Sequence, residues 1–364
     1  MQLHCLRCRQ RSPFDPLRFR CDCGGPLALR GAPAFDPGRV TPGDVTLWRY
    51  RHALPLPESA APVTLGEGGT PLVELTWDGL PLRLKCEFLN PTGSFKDRGT
   101  AVLMTALAAA GVGAVVEDSS GNAGASLAAY AARAGIRATV YVPAHASPVK
   151  QAQIAAYGAS VAAVPGPRIE AARAVLAAAE VGAAYASHVY HPLIHHGMKT
   201  IAFELWDVCT PDAVVVPAGH GTLLLGLAEG FEALRAAGCI AQVPRLFGVQ
   251  AASCAPLVAA WARGAGTVEP VEEGATVAEG VRIAVPLRGP EVLAAVRESG
   301  GALVAVADEA TLAAQRKLAH QGLYVEPTSA VALAALDHLR DRLGGTTVVV
   351  LTGSGFKSAA LHGA

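Results

Sequence analysis

Five short segments hold side chains whose type and spacing can do chemistry. In Asn90-Pro91-Thr92-Gly93-Ser94-Phe95-Lys96-Asp97-Arg98-Gly99, Pro91 and Gly93 punctuate a turn and Ser94 can cap a helix, which puts Lys96 in its first turn. An ammonium there opposes the helix dipole, whereas a neutral imine nitrogen does not; this is the setting of a Schiff-base lysine, the alternative being a solvated surface lysine. Ser119-Ser120-Gly121-Asn122-Ala123-Gly124 combines two hydroxyls with helix-start amides and suits a carboxylate. Pro217-Ala218-Gly219-His220-Gly221-Thr222 can hold an anion on main-chain amides, and is neither a P-loop nor a dinucleotide fingerprint. Leu351-Thr352-Gly353-Ser354-Gly355 ends a Val/Leu run with a hydroxyl. Cys5, Cys8, Cys21 and Cys23 supply four thiolates for a closed, structural tetrahedral zinc site; a metal-free vestige is the alternative, and the second pair is tighter than the usual spacing.

The elements between these segments place them. LRLKCEF, AVVEDSS, RATVYVP, ASVAAVPG, AVVVPAG, RLFGVQA and TTVVVLTG read as strands, and Ala-rich amphipathic stretches between them read as helices. Continuous apolar strands alternating with such helices imply a parallel sheet covered on both faces, with ligands at the carboxyl ends of its strands, where the Gly-rich turns fall.

NPTGSFKDRG resembles the cofactor-lysine motif of fold-type II pyridoxal-phosphate enzymes, in the form found in threonine synthases. LWRY, LGEGGTPL, the N-terminal cysteines and LTGSG extend the resemblance over nearly the whole chain. It implies an α/β, two-domain, doubly wound fold of the tryptophan synthase beta type with a zinc-ribbon-like appendage. The expected division is a segment 1–30, a large domain from 31–95 and 190–364, and a small domain 96–189. It implies pyridoxal 5'-phosphate on Lys96, which also moves the protons. Asn122, Gly219, His220, Gly221, Thr222 and Thr352 are expected to hold the cofactor, Thr352 at the pyridine nitrogen. Ser119, Ser120, Gly121, Asn122, Ala123 and Lys199 are expected to hold the amino-acid substrate. Glu326, in a stretch similar to the family's EPxSA, is a wall residue. Dimers are common in this fold, so a homodimer is expected.

Two departures from the family pattern concern the substrate. Ile194 stands where threonine synthases carry a phosphate-binding arginine before Gly-x-Lys-Thr, and His188, His191, His195 and His196 crowd the same stretch, where they could hold an anion in its place, bind a metal or face water. Thr276-Val277-Ala278-Glu279-Gly280 looks as much like serine/threonine dehydratases. The expected activity is a carbon–oxygen lyase of the threonine synthase type, with O-phosphohomoserine either a poor substrate or one held by the His188, His191, His195 and His196 group and Lys199. A serine/threonine dehydratase-like ammonia-lyase, or a β-replacement enzyme with another leaving group, is the alternative. A nicotinamide dehydrogenase lacks its glycine fingerprint, and a non-catalytic zinc-ribbon interaction protein would have no use for intact Lys96, Asn122 and Thr352.

Composition agrees with a metabolic enzyme. Lys+Arg and Asp+Glu are 30 each, so charge favours neither nucleic acid nor a membrane surface. No apolar run reaches a membrane span and the first residues lack a signal-peptide core, so a cytoplasmic location is expected. Cys86, Cys209, Cys239 and Cys254 are expected to be buried free thiols.

Overall fold

The computed structural model describes residues 1–357 apart from 120, 145, 147 and 167 and the side chain of 150. In chain order the strands are β1 Gln2–Cys5, β2 Arg11–Pro13, β3 Leu27–Arg30, β4 Leu72–Trp77, β5 Leu80–Lys85, β6 Ala114–Glu117, β7 Arg137–Pro143, β8 Ser160–Val164, β9 Ala184–Tyr185, β10 Ala213–Pro217, β11 Arg245–Ala251, β12 Ala302–Val306 and β13 Thr347–Val350. The α-helices are α1 Lys96–Ala109, α2 Asn122–Ala134, α3 Pro148–Ala156, α4 Arg168–Glu180, α5 Leu193–Met198, α6 Thr200–Val208, α7 Thr222–Ala236, α8 Pro256–Ala262, α9 Gly289–Glu298, α10 Asp308–Ala319, α11 Pro327–Ala334 and α12 Leu336–Leu339.

The chain divides into two compact units: Met1–Gly68 with Asn90–Met198, and Gly69–Leu89 with Lys199 onward. The first unit holds an antiparallel sheet in the order β2-β1-β3 and a parallel sheet in the order β8-β7-β6-β9. Residues 31–68, set with the large domain by the sequence reading, pack in this unit. There the buried Trp48 indole donates to Glu67 at 2.7 Å, and Glu67 also accepts the Tyr130 hydroxyl of α2 at 2.7 Å. The core gathers around Ala101, Met104, Leu127, Tyr130, Val140, Ile194 and Met198. Helix α5 comes close to α1 because a Cβ on Gly197 would lie 2.1 Å from the Arg98 carbonyl oxygen, a contact glycine alone tolerates.

The second unit is a six-stranded sheet in the order β12-β11-β10-β13-β5-β4. Its strands are parallel except β4, which runs antiparallel to β5. The sheet is therefore mixed, and the all-parallel expectation is corrected at that edge. The hairpin turn is Asp78-Gly79, both at positive φ, the dipeptide that matches strand twist in a two-residue loop. β10 and β13 are buried along their whole length, so their Val-rich runs see apolar neighbours on both faces. No described cysteine forms a disulfide; Cys86 and Cys254 are buried, while Cys209 and Cys239 are half-buried. Among the described residues no helix is long and apolar enough to cross a membrane.

Candidate active site

In the first unit Lys96 opens α1. The expected Ser94 cap is not made: the helix begins after Phe95 without a side-chain cap, and the Ser94 carbonyl accepts the Asp97 amide instead. The turn is held by Asp97, which the sequence reading passed over. Its buried carboxylate accepts the Thr92 amide at 2.7 Å, the Thr92 hydroxyl at 2.6 Å and the Ser126 hydroxyl of α2 at 2.7 Å. Three such bonds fix the start of α1 against α2. The Lys96 ammonium lies 4.5 Å from the centre of the Phe95 ring. Among the described residues the fully buried Ser94 hydroxyl has no hydrogen-bond partner, which leaves a polar position two residues from Lys96 for a bound group.

Helix α2 starts at Asn122 with Gly121 as its cap residue, which has no side chain to cap it. A helix start of this kind suits an anion. Gly124 is obligatory, since a Cβ there would sit 1.9 Å from the Ser119 carbonyl oxygen. Ser119 Oγ accepts the Gly121 amide at 3.3 Å. Ser120 lies outside the described residues.

In the second unit the turn 217–222 leads from β10 into α7, again with no side-chain cap. Gly221 has φ +83°, and a Cβ there would strike Val292 at 2.2 Å. A Cβ on Gly219 would come within 2.9 Å of the Gly280 carbonyl oxygen. Close packing against Val292 and Gly280 thus demands glycine at both positions, and the turn they form opens a helix, whose start amides are the donor set for a phosphate. Thr352 follows β13 and is buried. Ser329, at the start of α11, was not singled out from sequence, yet its oxygen accepts the amides of Thr352 and Gly353 at 2.9 and 2.7 Å. With both lone pairs engaged, its own proton points to the Gly353 carbonyl at 3.1 Å or the Thr352 hydroxyl at 3.0 Å. The Thr352 hydroxyl therefore retains its proton for another acceptor. Lys199 is buried, and desolvation lowers its ammonium to about 8, against the opposing pull of Glu229.

The histidine stretch is less available than its sequence suggests. His191 accepts the Leu193 amide on Nδ1 and donates from Nε2 to the Pro16 carbonyl, so both ring nitrogens are engaged with protein. His188 lies 2.6 Å from Glu117. Ile194 is a core residue whose backbone and side chain meet α1 at Gly99. His195 and His196 are buried on α5.

The four N-terminal cysteines converge. Cys5 and Cys23 sulfurs are 3.5 Å apart, Cys8 and Cys21 sulfurs 3.6 Å, and all four ligand atoms fall within 4.8 Å of one another. The Cys8 amide donates to Cys5 Sγ at 3.4 Å. Burial works against the Cys5 thiolate, but amide donors and neighbouring thiols prevail and bring it down to about 6. The module packs on the sheet through Phe19, whose ring meets Tyr185 edge-on at 4.9 Å and Tyr190 at 6.0 Å.

A family model described as pyridoxal-phosphate dependent enzyme matches residues 63–354. The chain is 34% identical to a threonine synthase of Methanocaldococcus jannaschii, over 98% of this chain and 93% of that protein. It is 38% identical to a threonine synthase of Mycobacterium bovis, over 85% and 87%. Among solved structures, a T.th. threonine deaminase matches with TM-score 0.68 and 30% identity, covering 80% of this chain and 94% of the other. A maize serine racemase matches with TM-score 0.71 at 23% identity, over 79% and 88%, and speaks to the fold alone.

Proposed function

The chain belongs to the pyridoxal-phosphate dependent enzyme family and is a lyase of the threonine synthase type, and we propose that it converts O-phosphohomoserine to threonine with Lys96 bearing the cofactor. The observation that carries this reading is a lysine at the first turn of α1 in the same unit as the glycine-capped start of α2. When bound, pyridoxal phosphate supplies an electron sink for negative charge at the substrate Cα. The chain supplies the rest. The Lys96 nitrogen takes the Cα proton and returns it. The amides opening α2, with Ser119, Gly121, Asn122 and Ala123, hold the substrate carboxylate; Ser120 is proposed with them from sequence. The amides of Gly219, His220, Gly221 and Thr222 would hold the cofactor phosphate, and Asn122 its phenolic oxygen. The Thr352 hydroxyl would face the pyridine nitrogen as a neutral donor, so that the proton work falls to Lys96. Lys199 is proposed as a cation for the substrate.

The four cysteines are proposed to hold one structural zinc. With Zn–S near 2.3 Å, a tetrahedral site has sulfur–sulfur edges of about 3.8 Å, close to the spacings present. A homodimer and a cytoplasmic location complete the proposal, on the resemblance alone.

The test is a substrate panel on the cofactor-loaded protein together with borohydride reduction and peptide mapping. O-phosphohomoserine should yield threonine and phosphate, and the reduced adduct should sit on Lys96 and vanish in Lys96→Ala. An adduct on Lys85 or Lys199, or turnover of threonine to a 2-oxo acid with O-phosphohomoserine inert, would overturn the proposal.

A further inference from the structure

The turn that carries Lys96 is tied to its own unit at several points, and one buried polar atom in it is left over. The Gly93 amide donates to the Asn90 carbonyl at 2.8 Å, and Gly93 takes φ +84°, which closes the turn. Asn90 Oδ1 accepts the Gly68 amide at 3.0 Å, and Gln153 of α3 donates to the Thr92 carbonyl at 3.2 Å. The Asp97 carboxylate holds Thr92 and, on α2, Ser126. The Ser94 carbonyl accepts the Asp97 amide at 3.4 Å, so Ser94 and Lys96 lie in one four-residue turn. Ser94 is 0% exposed, and among the described residues its hydroxyl has no hydrogen-bond partner.

A buried hydroxyl destabilises a fold unless some group bonds to it. Alanine would fill the same position without a polar atom, and α1 does not use Ser94 as a cap, so local structure does not call for serine here. The turn is also poorly placed to shift and find the hydroxyl a partner, because it is tied to Gly68, α2 and α3. A polar atom held in this way is arranged in advance for a partner that arrives. The surrounding charges say what kind of partner. Ser94 precedes the amino end of a 14-residue helix without a side-chain cap, where the helix dipole favours negative charge. Lys96 is the cation of the same turn, while the Asp97 carboxylate is directed at Thr92 and Ser126 by its three bonds.

We propose that Ser94 is a binding residue: its hydroxyl donates to an anionic oxygen, of phosphate or carboxylate, on the cofactor or the amino acid bound at Lys96. This rests on Lys96 bearing the cofactor. The hydroxyl gains its partner on loading, so its contribution lies in affinity and not in the stability of the unloaded chain.

The experiment compares wild type with Ser94→Ala, unloaded and loaded. Pyridoxal phosphate is titrated into the unloaded protein, and inorganic phosphate and α-aminobutyrate into the loaded one, each followed by calorimetry. At least one of the three should bind about tenfold more weakly to the variant, the scale of one lost hydrogen bond to a charged group, and that one names the oxygen. The melting midpoint of the unloaded variant should equal or exceed that of wild type. Equal affinities for all three, with the adduct still on Lys96, overturn the inference and leave the functional reading intact. A lower midpoint in the unloaded variant, or its failure to fold, means that the hydroxyl has a partner within the chain and overturns the inference as well. An adduct that survives Lys96→Ala overturns both the inference and the functional reading.

Discussion

Replacing Ser329 by alanine removes one oxygen and strands several groups at once. In wild type that oxygen accepts the amides of Thr352 and Gly353 and lies 3.0 Å from the Thr352 hydroxyl. Ser329 is fully buried and Thr352 nearly so. Each buried amide left without an acceptor costs about 1–3 kcal/mol, so the loss should be about 2–6 kcal/mol if the site stays dry. The effect is local first, because the strand behind Thr352 is held by its own ladder to β10 and β5. Hydrogen exchange of a peptide spanning 347–357 should show the 352 and 353 amides opening faster, and denaturant midpoints should fall. The Thr352 hydroxyl also loses the neighbour that steers its proton, so cofactor retention should weaken about tenfold if that loss is worth ~1.4 kcal/mol. Unchanged exchange at 352 and 353 together with an unchanged midpoint would show that Ser329 is not their acceptor, and the steering argument for Thr352 would fall with it.

Chelation or Cys8→Ser should release one zinc per chain and open residues 1–30 to proteolysis, since four thiolates close the coordination sphere; protein made with ample zinc but containing none would refute the site. Lys199 concerns stability and pH. Its folded value lies near 8 against an ordinary 10.5, so between those values the native state binds fewer protons than the unfolded chain, and stability rises with pH. The gain is present above about 10.5 and is lost as pH falls through about 8, an order of about 3 kcal/mol. Lys199→Met should flatten that limb of the denaturation midpoint, and an identical pH dependence in both proteins would refute it.

What could be read from the sequence was local. The glycine turns were legible because glycine is there for steric reasons: Gly124 and Gly221 sit where a Cβ would meet backbone or a valine at under 2.5 Å. β10 and β13 were legible because they are apolar on both faces. The antiparallel β4 was missed although Asp78-Gly79 is a hairpin signal, because its own burial pattern is only partial. β12 and α9 were missed among Ala-rich sequence that reads the same in many settings. The partners of the site residues were not legible at all. Asp97 meets Ser126 29 positions on, Ser329 meets Thr352 23 on, and Glu117 meets His188 71 on. No periodicity within an element encodes such pairings; they follow from which strand lies beside which.

The stretch from His188 to Lys199 shows how adjacency in sequence misleads. Four histidines around a missing arginine read as a substitute anion site. In the fold, His191 ties the segment to the N-terminal module through the Pro16 carbonyl, and its Nδ1 accepts an amide, which fixes a neutral tautomer. A neutral ring with both nitrogens engaged cannot attract a phosphate without first breaking those bonds. His188 is bound up with Glu117, whose carboxyl would oppose an anion once ionised. Ile194 fills space against Gly99, so restoring an arginine there would drive a guanidinium into the packing of α1 on α5 rather than rebuild a phosphate contact. Whatever recognises the leaving group must therefore lie outside residues 188, 191 and 194. Lys199 is the cation at the end of the stretch, and its depressed basicity means that its hold on a phosphate should strengthen as pH falls below about 8.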